Sequence, residues 1–435
     1  MPMNKISSWG RLTADPHHVV MLHDRAALQK AISSDLPGLA YGFGRSYGDV
    51  CLNAHGTLWR TSGLDRFLSF DDATGQLVCE SGVSLKVIQE VMSTQGWMLP
   101  VTPGTQWVTV GGAIANDVHG KNHHRQGTFS HHVSRIRLLR TNGEVIECGP
   151  SVRPDWFAAT VGGMGLTGVI TEVELQLMRV PGPWLLAETI PYYSLEEFFH
   201  LASSSEADWE YTVSWIDCAK KDRHRGLFMR ANPIESPKIQ TQIKTKTFPI
   251  TPPFSLVNRC SLKLFNELYF HVNRAKKGKK IVHYVPFFYP LDHILMWNRL
   301  YGKKGFYQYQ CVVPKSCEKE VTQALLNTIQ KYREGSFLAV LKTFGAVDSL
   351  GMMSFPREGV TLALDFANRQ ERTLALLRRL DELVDEAGGR LYCAKNAVMS
   401  SQLFHHGYPR LKEFLAYRDS GIQSDLSRRL MEREV

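Results

Sequence analysis

Histidines crowd one stretch of this 435-residue chain, TVGGAIANDVHGKNHHRQGTFSHHVSRI, residues 109–136. Five of them follow a double glycine: His119, His123, His124, His131 and His132. A zinc site needs three or four ligands in a defined arrangement, with acidic residues behind them. Asp117 is the only acid in this stretch and an HExxH motif is absent. We therefore expect no metal site, and the stretch could hold either a catalytic base or the rim of a cofactor pocket.

Glycine-rich segments are the second feature that points to chemistry. They read YGFGRSYGD (41–49), TPGTQWVTVGG (102–112) and VGGMGLTG (161–168). Glycine lets the backbone approach a ligand closely and direct successive N–H groups at phosphate oxygens. A single segment of this kind is usually only a turn. Three of them in one region predict a long ligand that passes several loops.

The last of these segments places Gly163, Gly165 and Gly168 at the spacing of a dinucleotide-binding fingerprint. That fingerprint requires a strand before it and a helix after it. Here the helix-like DWFAAT precedes the glycines, and the alternating VITEVELQLM that follows predicts a strand. A Rossmann fold is therefore excluded, and a Walker A motif is also absent.

The sequence around these residues has the patterns of both helices and antiparallel strands, which must position the residues named above. SLKVIQEVMSTQ (84–95) predicts a helix that begins after Ser84 and ends at Gly96. SRIRLLRTNGEVIECGP predicts a hairpin that turns at Asn142-Gly143. The first half of the chain is therefore expected to be a mixed α+β domain.

The sequence pattern changes at about residue 183. Strand patterns such as YQYQCVVP and VTLALDFA follow, with helical stretches at 317–333 and 370–387 between them. Strands with helices packed on one side predict an α+β cap domain. The Pro-rich and basic segment 231–285 is a poor core element, and we expect a surface loop there.

Length and composition indicate a globular protein of two domains, because 435 residues exceed one ordinary core. The chain has no run of about 18 apolar residues, so no transmembrane helix is expected. Its first residues lack the core of a signal peptide and a twin-arginine signal, which predicts a cytoplasmic location. Eight scattered cysteines without C-x-x-C argue against a disulfide framework and against a thiolate zinc site.

Positive charge is concentrated in one window. From Lys238 to His283 the chain has ten Lys or Arg and a single acid, Glu267. The net charge of this window is therefore +9, the same as that of the whole chain. Such a local field favours an anionic partner at one face of the molecule. No RNA-recognition motif or zinc finger accompanies the charge, so we expect no nucleic-acid binding.

Three stretches together resemble the FAD-binding domain of the vanillyl-alcohol oxidase / p-cresol methylhydroxylase superfamily: YGFGRSYGDVCLN, ESGVSLKVIQEVMSTQGWMLPVTPGTQWVTVGGAIANDVHGKNHH and DWFAATVGGMGLTGVITEVEL. Within it, GRSYGD, HGKNHH and GGRLYCAK resemble the decaprenylphosphoryl-β-D-ribose 2′-oxidase family. The resemblance implies an α+β, two-domain flavoprotein. It implies an FAD-binding domain (1–182), an antiparallel-sheet substrate (cap) domain (183–389) with the basic loop 231–285, and a C-terminal segment (390–435) that completes the FAD domain.

The same resemblance implies which residues bind FAD. They are Gly42, Phe43, Gly44, Arg45, Ser46, Tyr47, Gly48, Gly104, Thr109, Val110, Gly111, Gly112, Asn116, His119, Ile170 and Tyr392. Many members of the superfamily attach FAD covalently through a histidine in the first glycine segment. Arg45 stands at that place here and cannot form the bond, so the resemblance implies non-covalent FAD.

Oxidation of an alcohol by a flavin needs a directed C–H bond, a group for the hydroxyl proton, and positive charge beside the reduced ring. By resemblance the catalytic candidates are Lys395, His119, Tyr47 and Lys121, and the substrate-binding candidates are Gln310, Lys342 and Lys121. Lys395 follows the nearly apolar RLYCA and is expected beside flavin and substrate, either as the base or as a cation. The remaining histidines are expected to cap loops or bond the backbone.

The activity implied by the resemblance is oxidation of the C2 hydroxyl of a polyprenyl-phosphate-linked pentose to a 2-keto sugar. That would be the first half of an epimerisation in cell-wall arabinan synthesis, with a separate NAD(P)H-dependent keto-sugar reductase as pathway partner. A lipid-linked sugar phosphate and the basic window together indicate peripheral contact with the inner membrane. The alternative is a soluble, FAD-dependent alditol or aldonolactone oxidase. Thr361 and Ala363 stand where the resemblance places asparagine and cysteine, so the sugar preference can differ.

Overall fold

The computed structural model describes residues 3–33, 36–220, 224–237 and 245–432. Helices and largely antiparallel sheets make up these ranges, which confirms the α+β prediction. None of the helices within the described ranges is long and apolar enough to cross a membrane.

Two sheets organise the first part of the chain. Its strands are β1 (Asn4–Ile6), β2 (Asp15–Met21), β3 (Gly38–Tyr41), β4 (Thr57–Arg60), β5 (Phe67–Asp71), β6 (Gln76–Glu80), β7 (Trp97–Met98), β8 (Val133–Leu139), β9 (Val145–Cys148), β10 (Val169–Gln176) and β11 (Met178–Arg179). The order β1-β2-β4-β3 forms a mixed sheet, β5-β6-β10-β8-β9 forms an antiparallel sheet, and β7 pairs with β11. The helices here are α1 (Leu28–Ile32), α2 (Leu85–Met92), α3 (Val110–Ala115), α4 (His123–Gln126) and α5 (Pro154–Thr160).

Three local predictions in this part are confirmed. The Ser84 hydroxyl accepts a 3.2 Å bond from the Val87 N–H at the start of α2, and Gly96 follows the last turn with φ +79°. Strands β8 and β9 pair antiparallel around Asn142-Gly143. The last glycine segment lies between α5 and β10, the reverse of the helix-after-strand order of a Rossmann fold.

The second part of the chain forms one large antiparallel sheet with helices. Its strands are β12 (Trp184–Tyr192), β13 (Tyr211–Ile216), β14 (Gly226–Ile234), β15 (Lys246–Thr247), β16 (Gly278–His283), β17 (Ile294–Leu295), β18 (Phe306–Pro314), β19 (Ala339–Phe344), β20 (Gly359–Ala367) and β21 (Arg390–Leu391). The eight-stranded sheet has the order β16-β12-β14-β13-β19-β20-β18-β21. The helices are α6 (Leu195–Ser205), α7 (Arg259–Ala275), α8 (Tyr284–Phe288), α9 (Glu318–Lys331), α10 (Glu371–Glu386), α11 (Ser401–Gly407), α12 (Leu411–Leu415) and α13 (Asp425–Leu430).

The two faces of this sheet have different neighbours because side chains alternate along a strand. On β18, Tyr309 is buried in a core that includes Leu325 of α9 and Leu376 of α10. Gln308 and Gln310 lie on the opposite face and line a cavity. The period of two in YQYQ therefore separates a helix-covered face from a polar, cavity-lining face.

The predicted surface loop 231–285 is wrong for much of its length. The structure places the end of β14, the helix α7 and the strand β16 there; residues 238–244 lie outside the described ranges. The Asn258 side chain caps α7 by accepting bonds from two backbone N–H groups. Leu262 and Phe270 are buried on one side of the helix. The Pro-rich FPITPPFSL suggested a loop, and the buried positions 262, 266 and 270, which recur every four residues, begin only after it.

The C-terminal segment returns to the first part of the chain. Ile422 forms a parallel bridge with Gly38, and Arg429 pairs with Asp49 at 2.7 Å. A Cβ on Gly48 would lie 1.9 Å from the Asn396 carbonyl oxygen, so glycine permits this close approach. The domain limits at residues 182 and 389 stay predictions.

Candidate active site

A cavity of about 1260 Å³ lies between the glycine segments and one face of the eight-stranded sheet. Residues 42–47 and many residues between 102 and 121 line it from the first part of the chain. Side chains of β18, β19 and β20 line it from the sheet, and Tyr392, Ala394 and Lys395 from the C-terminal part. Residues that are far apart in the sequence therefore meet in one chamber.

Most of the residues expected to bind FAD line this cavity. They are Gly42, Phe43, Gly44, Arg45, Ser46, Tyr47, Gly104, Thr109, Gly111, Gly112, Asn116, His119, Ile170 and Tyr392. Gly48 and Val110 are not in the lining: Gly48 packs against the C-terminal segment, and Val110 is fully buried with its N–H bonded to the Val83 carbonyl. These two residues pack behind the residues that line the cavity, because their own surroundings are filled by protein atoms.

The polar groups of this wall fit a dinucleotide. The N–H groups of residues 43–46 lie outside any strand or helix and make no backbone–backbone hydrogen bond within the described ranges. Ser81 Oγ, Trp107 Nε1 and Asn116 Oδ1 belong to lining residues and are buried without a partner in the described part of the chain. A buried polar atom without a partner is costly, so a ligand with many acceptors and donors would satisfy this wall.

Arg45 lies in the first glycine segment with its guanidinium 4.3 Å from the centroid of the Trp9 ring. Its Nη1 donates a 2.9 Å hydrogen bond to the Phe43 carbonyl, which holds the side chain against its own loop. Burial lowers the pKa of Arg45 from its usual value, but an arginine stays charged near neutral pH. The segment thus presents a cation where a phosphate could bind.

Six side chains from three adjacent strands line the opposite wall: Gln308 and Gln310 of β18, Lys342 of β19, and Thr361, Ala363 and Asp365 of β20. The register pairs Gln308 with Asp365 and Gln310 with Ala363. Gln308 Nε2 donates to Asp365 Oδ1 at 2.7 Å. Gln308 Oε1 and Asp365 Oδ2 have no partner among the described residues, which leaves polar atoms available to a ligand.

His119 connects this wall to the glycine segments. Its Nε2 lies 2.9 Å from Gln310 Nε2, and Lys342 Nζ lies 3.1 Å from its Nδ1 and donates to the Gly120 carbonyl at 3.0 Å. Burial, followed by the charge of Lys342, lowers the pKa of His119 well below its usual value. The ring is therefore neutral at physiological pH, and Lys342 and Gln310 fix its orientation.

Lys121 and Lys342 are half-buried residues that line the cavity. The Lys121 ammonium donates to the carbonyls of Phe287 and Phe288. Burial lowers the pKa of Lys121 to about 7, and burial together with the charges of Lys121 and Lys395 lowers that of Lys342 to about 7. An anion in the cavity would favour the protonated form of both residues.

Lys395 lines the cavity from the C-terminal part of the chain, with Nζ 4.1 Å from the centroid of the Tyr47 ring. Burial lowers the pKa of Lys395 to about 8, and the charge of Asp365 opposes this shift. The Tyr47 N–H donates to the Ala394 carbonyl at 2.9 Å, so the backbone also ties the first glycine segment to the C-terminal segment. Lys395 can therefore exchange a proton near neutral pH.

Sequence reasoning missed Gln308 and Asp365. The signal was the period of two in each strand. Gln308 precedes Gln310 by two positions in YQYQ, and Asp365 follows Ala363 by two in LALD, so each had to share a face with a position already of interest. Burial raises the pKa of Asp365 to about 7, so this carboxyl group can also exchange a proton near neutral pH.

The other four histidines of the 109–136 stretch do not line the cavity. His124 and His132 bond backbone carbonyls of Trp209 and Gln126, and His131 closes a capping box with Thr128. His123 is buried, and its ring nitrogens have no partner within the described ranges. Across those ranges no three or more metal-ligating side chains cluster.

Comparison with known proteins agrees with this geometry. Residues 16–149 match the family described as "FAD binding domain". The chain is 34% identical over 98% of its length to decaprenylphosphoryl-β-D-ribose oxidase of Mycolicibacterium smegmatis, of which it covers 97%. It is 29% identical over 80% of its length to a Streptomyces coelicolor protein described only as lying in the mprA 5′ region, which it covers completely. A putative D-arabinono-1,4-lactone oxidase of Neurospora crassa is 27% identical over 30% of this chain and 23% of that enzyme.

The residues that match the FAD-binding domain include the glycine segments that line one side of the cavity. The full-length match to the M. smegmatis enzyme also covers the sheet and the C-terminal segment, which line the rest of the cavity. The fold is thus that of a two-domain α+β flavoprotein, and the chain is an FAD-dependent oxidoreductase. It belongs to the decaprenylphosphoryl-β-D-ribose oxidase family.

Proposed function

We propose that this enzyme oxidises the C2 hydroxyl of a polyprenyl-phosphate-linked pentose to the 2-keto sugar. The observation that carries the proposal is the group of three lysines, Lys121, Lys342 and Lys395, that line the same cavity as neutral His119, beside the residues of the FAD domain. The name of the M. smegmatis relative, to which nearly the whole chain aligns, supports a phosphorylated pentose as substrate.

FAD, when bound along the glycine segments that line the cavity, supplies the acceptor for the hydride of the carbinol carbon. The hydroxyl proton needs a separate acceptor, and we assign Lys395 Nζ to it. This amine lies over the Tyr47 ring and is influenced by the charge of Asp365, and its pKa of about 8 provides the neutral form near physiological pH. We infer that Tyr47 and Asp365 hold the amine in place.

Lys342 and Lys121 are assigned to the sugar and its phosphate. Both have pKa values lowered to about 7, so the negative charge of the arriving phosphodiester would favour their protonated forms. His119 and Gln310 would orient the pentose, since Gln310 also donates to Thr361 Oγ1 at 3.2 Å and is thereby held on the sheet. Apolar lining residues such as Phe287, Tyr269 and Leu295 would contact the lipid chain.

We also propose that FAD is bound without a covalent bond, because Arg45 stands where many relatives in the superfamily use a histidine. The 2-keto product would pass to a separate NAD(P)H-dependent keto-sugar reductase, which completes an epimerisation for cell-wall arabinan. In this proposal the enzyme works in the cytoplasm, beside the inner membrane that holds its substrate.

Anaerobic bleaching of the flavin absorbance tests the substrate. A short-chain polyprenyl-phosphate ribose should bleach the enzyme, and the matched 2-deoxyribose compound should not, because it lacks the hydroxyl to be oxidised. Faster bleaching by free alditols or aldonolactones would instead establish the alternative of a soluble sugar oxidase. Bleaching by the 2-deoxy compound would refute the assignment to C2.

A further inference from the structure

Helix α7 presents three stripes, each with a spacing of four residues. One stripe is buried against the sheet: Leu262, Asn266 and Phe270. The second lines the cavity: Phe265, Tyr269 and Asn273. The third is exposed: Leu264, Leu268 and Val272, with 62%, 56% and 48% of their surface accessible. Residues at this spacing share a helix face, so the exposed stripe directly borders the cavity-lining stripe.

The segment before α7 adds further exposed apolar side chains. Ile250 is 67% and Phe254 is 69% exposed. Arg299 Nη1 holds this segment by donating to the carbonyls of Phe248 and Pro249 at 2.9 Å. Thr247, just upstream, lines the cavity. Exposed apolar groups therefore flank the same cavity from two elements.

Exposed cations lie on α7 and directly after it. Lys263 and Arg274 lie on α7, and four exposed lysines follow it directly: Lys276, Lys277, Lys279 and Lys280. None of these six forms an ion pair with another described residue. The single acid of the helix, Glu267, is already engaged by Arg225 at 2.9 Å, His271 at 3.2 Å and Lys220 at 3.4 Å. Glu188, which the register places opposite Lys279, pairs with Arg230 at 2.7 Å, so within the described ranges no carboxylate forms an ion pair with these six cations.

Charge and apolar exposure together decide the kind of partner. Lysine is depleted in the centres of protein–protein interfaces, and a nucleic acid would gain nothing from exposed leucine and valine. Helices that lie in the interface of a bilayer combine an apolar face with flanking lysines, and each basic residue near an anionic surface contributes about 1 kcal/mol.

We propose that α7, with Ile250, Phe254 and the lysines 276, 277, 279 and 280, is a docking surface for an anionic lipid bilayer. The apolar stripe enters the lipid and the lysines meet its headgroups. Because the neighbouring stripe lines the cavity, docking would turn the cavity toward the membrane, where the lipid-linked substrate of the proposed function resides. The docking itself does not depend on which sugar is oxidised.

Sedimentation with vesicles tests the surface in the absence of any sugar. The holoenzyme should bind vesicles of equal parts phosphatidylcholine and phosphatidylglycerol, and should not bind phosphatidylcholine alone. Replacing the four lysines together (Lys276→Gln, Lys277→Gln, Lys279→Gln, Lys280→Gln) should weaken binding at least about 100-fold. The variant Leu264→Ser, Leu268→Ser, Val272→Ser should weaken it at least about 10-fold.

A matched control removes the same charge elsewhere. The exposed lysines Lys5, Lys30, Lys331 and Lys412 lie outside the docking surface, and their replacement by Gln should leave binding unchanged. FAD content verifies the fold of every variant. Equal weakening in this control, binding to phosphatidylcholine alone, or an exposed stripe that instead holds two copies of the chain together would each overturn the proposal. Flavin reduction in detergent by a short-chain substrate is measured separately, so failure of the docking proposal leaves the proposed function standing.

Discussion

The Lys395 ammonium lies over the ring of Tyr47, with Nζ 4.1 Å from the ring centroid. The contact joins the C-terminal segment to the first glycine segment, two stretches at opposite ends of the chain. Two opposing effects act on the amine: burial lowers its pKa, and the charge of Asp365 raises it, so that the pKa of Lys395 is about 8. An ammonium is attracted by a π face, but desolvation is the larger influence here.

Lys395→Met should slow flavin reduction strongly while FAD remains bound. A general base contributes about 100- to 10,000-fold to a rate, and methionine cannot accept a proton. In the unchanged enzyme, kcat/KM should rise as the pH rises through about 8, because only the neutral amine accepts the hydroxyl proton. Lys412→Met, at an exposed position, is the control. A profile that falls through this range would assign Lys395 the role of a cation instead.

Asp365→Asn should move that pH profile to lower values. The carboxylate raises the pKa of Lys395, and the amide keeps the shape and the contact with Gln308 while removing the charge. The pH dependence of kcat/KM measures the shift directly. The exposed Asp208→Asn should leave the profile in place, and an unshifted Asp365→Asn profile would show that the two groups are not coupled.

His119→Ala should retain FAD but reduce it about 100-fold more slowly, because small misplacement of a substrate costs about that factor. The ring connects Gln310 and Lys342, so its loss removes the orientation of both. Stopped-flow flavin absorbance measures the rate, and flavin content measures binding. His200→Ala, on an exposed position of α6, should behave like the unchanged enzyme. Unaltered turnover in His119→Ala would remove this residue from the site.

Acid precipitation should release the flavin. With Arg45 where a covalent tether would need histidine, denaturation followed by centrifugation should leave the yellow colour in the supernatant. Absorbance of the two fractions is the measurement. Colour that stays with the pellet would demonstrate a covalent bond at another side chain.

His123 should make the protein sensitive to acid. Burial lowers its pKa from 6.5 to about 3 in the folded state. Below pH 6.5 the unfolded chain therefore binds a proton at His123 that the folded chain does not bind. The free energy of unfolding consequently falls as the pH falls, by about 1.4 kcal/mol per pH unit at most. His123→Leu should make this slope shallower, as measured by urea unfolding at several pH values. The exposed His200→Leu should preserve the slope, and a slope unchanged by His123→Leu would contradict the assignment.

Local sequence patterns predicted much of the fold because their causes are local. Ser84 before an apolar period marks a helix start, and Asn142-Gly143 marks a hairpin. The basic window shows the limit of such patterns. A dense run of lysines and a nearby Pro-rich stretch indicated a loop, but α7 forms there since Leu262 and Phe270 have a sheet to pack against. Asp365 was missed for a similar reason: its neighbours along the chain are apolar, and only pairing with β18 sets it beside Gln308.

By itself the sequence determined the α+β class, the glycine segments expected to bind FAD, and the family resemblance, because each depends on residue type and short spacing. Only the tertiary structure decided that Lys395 meets Tyr47 and that His119 is held between Gln310 and Lys342. These contacts depend on strand register and on the return of the C-terminal segment. It also decided the lowered pKa values of the lysines, since desolvation comes from the whole surrounding fold and from no single stretch of the chain.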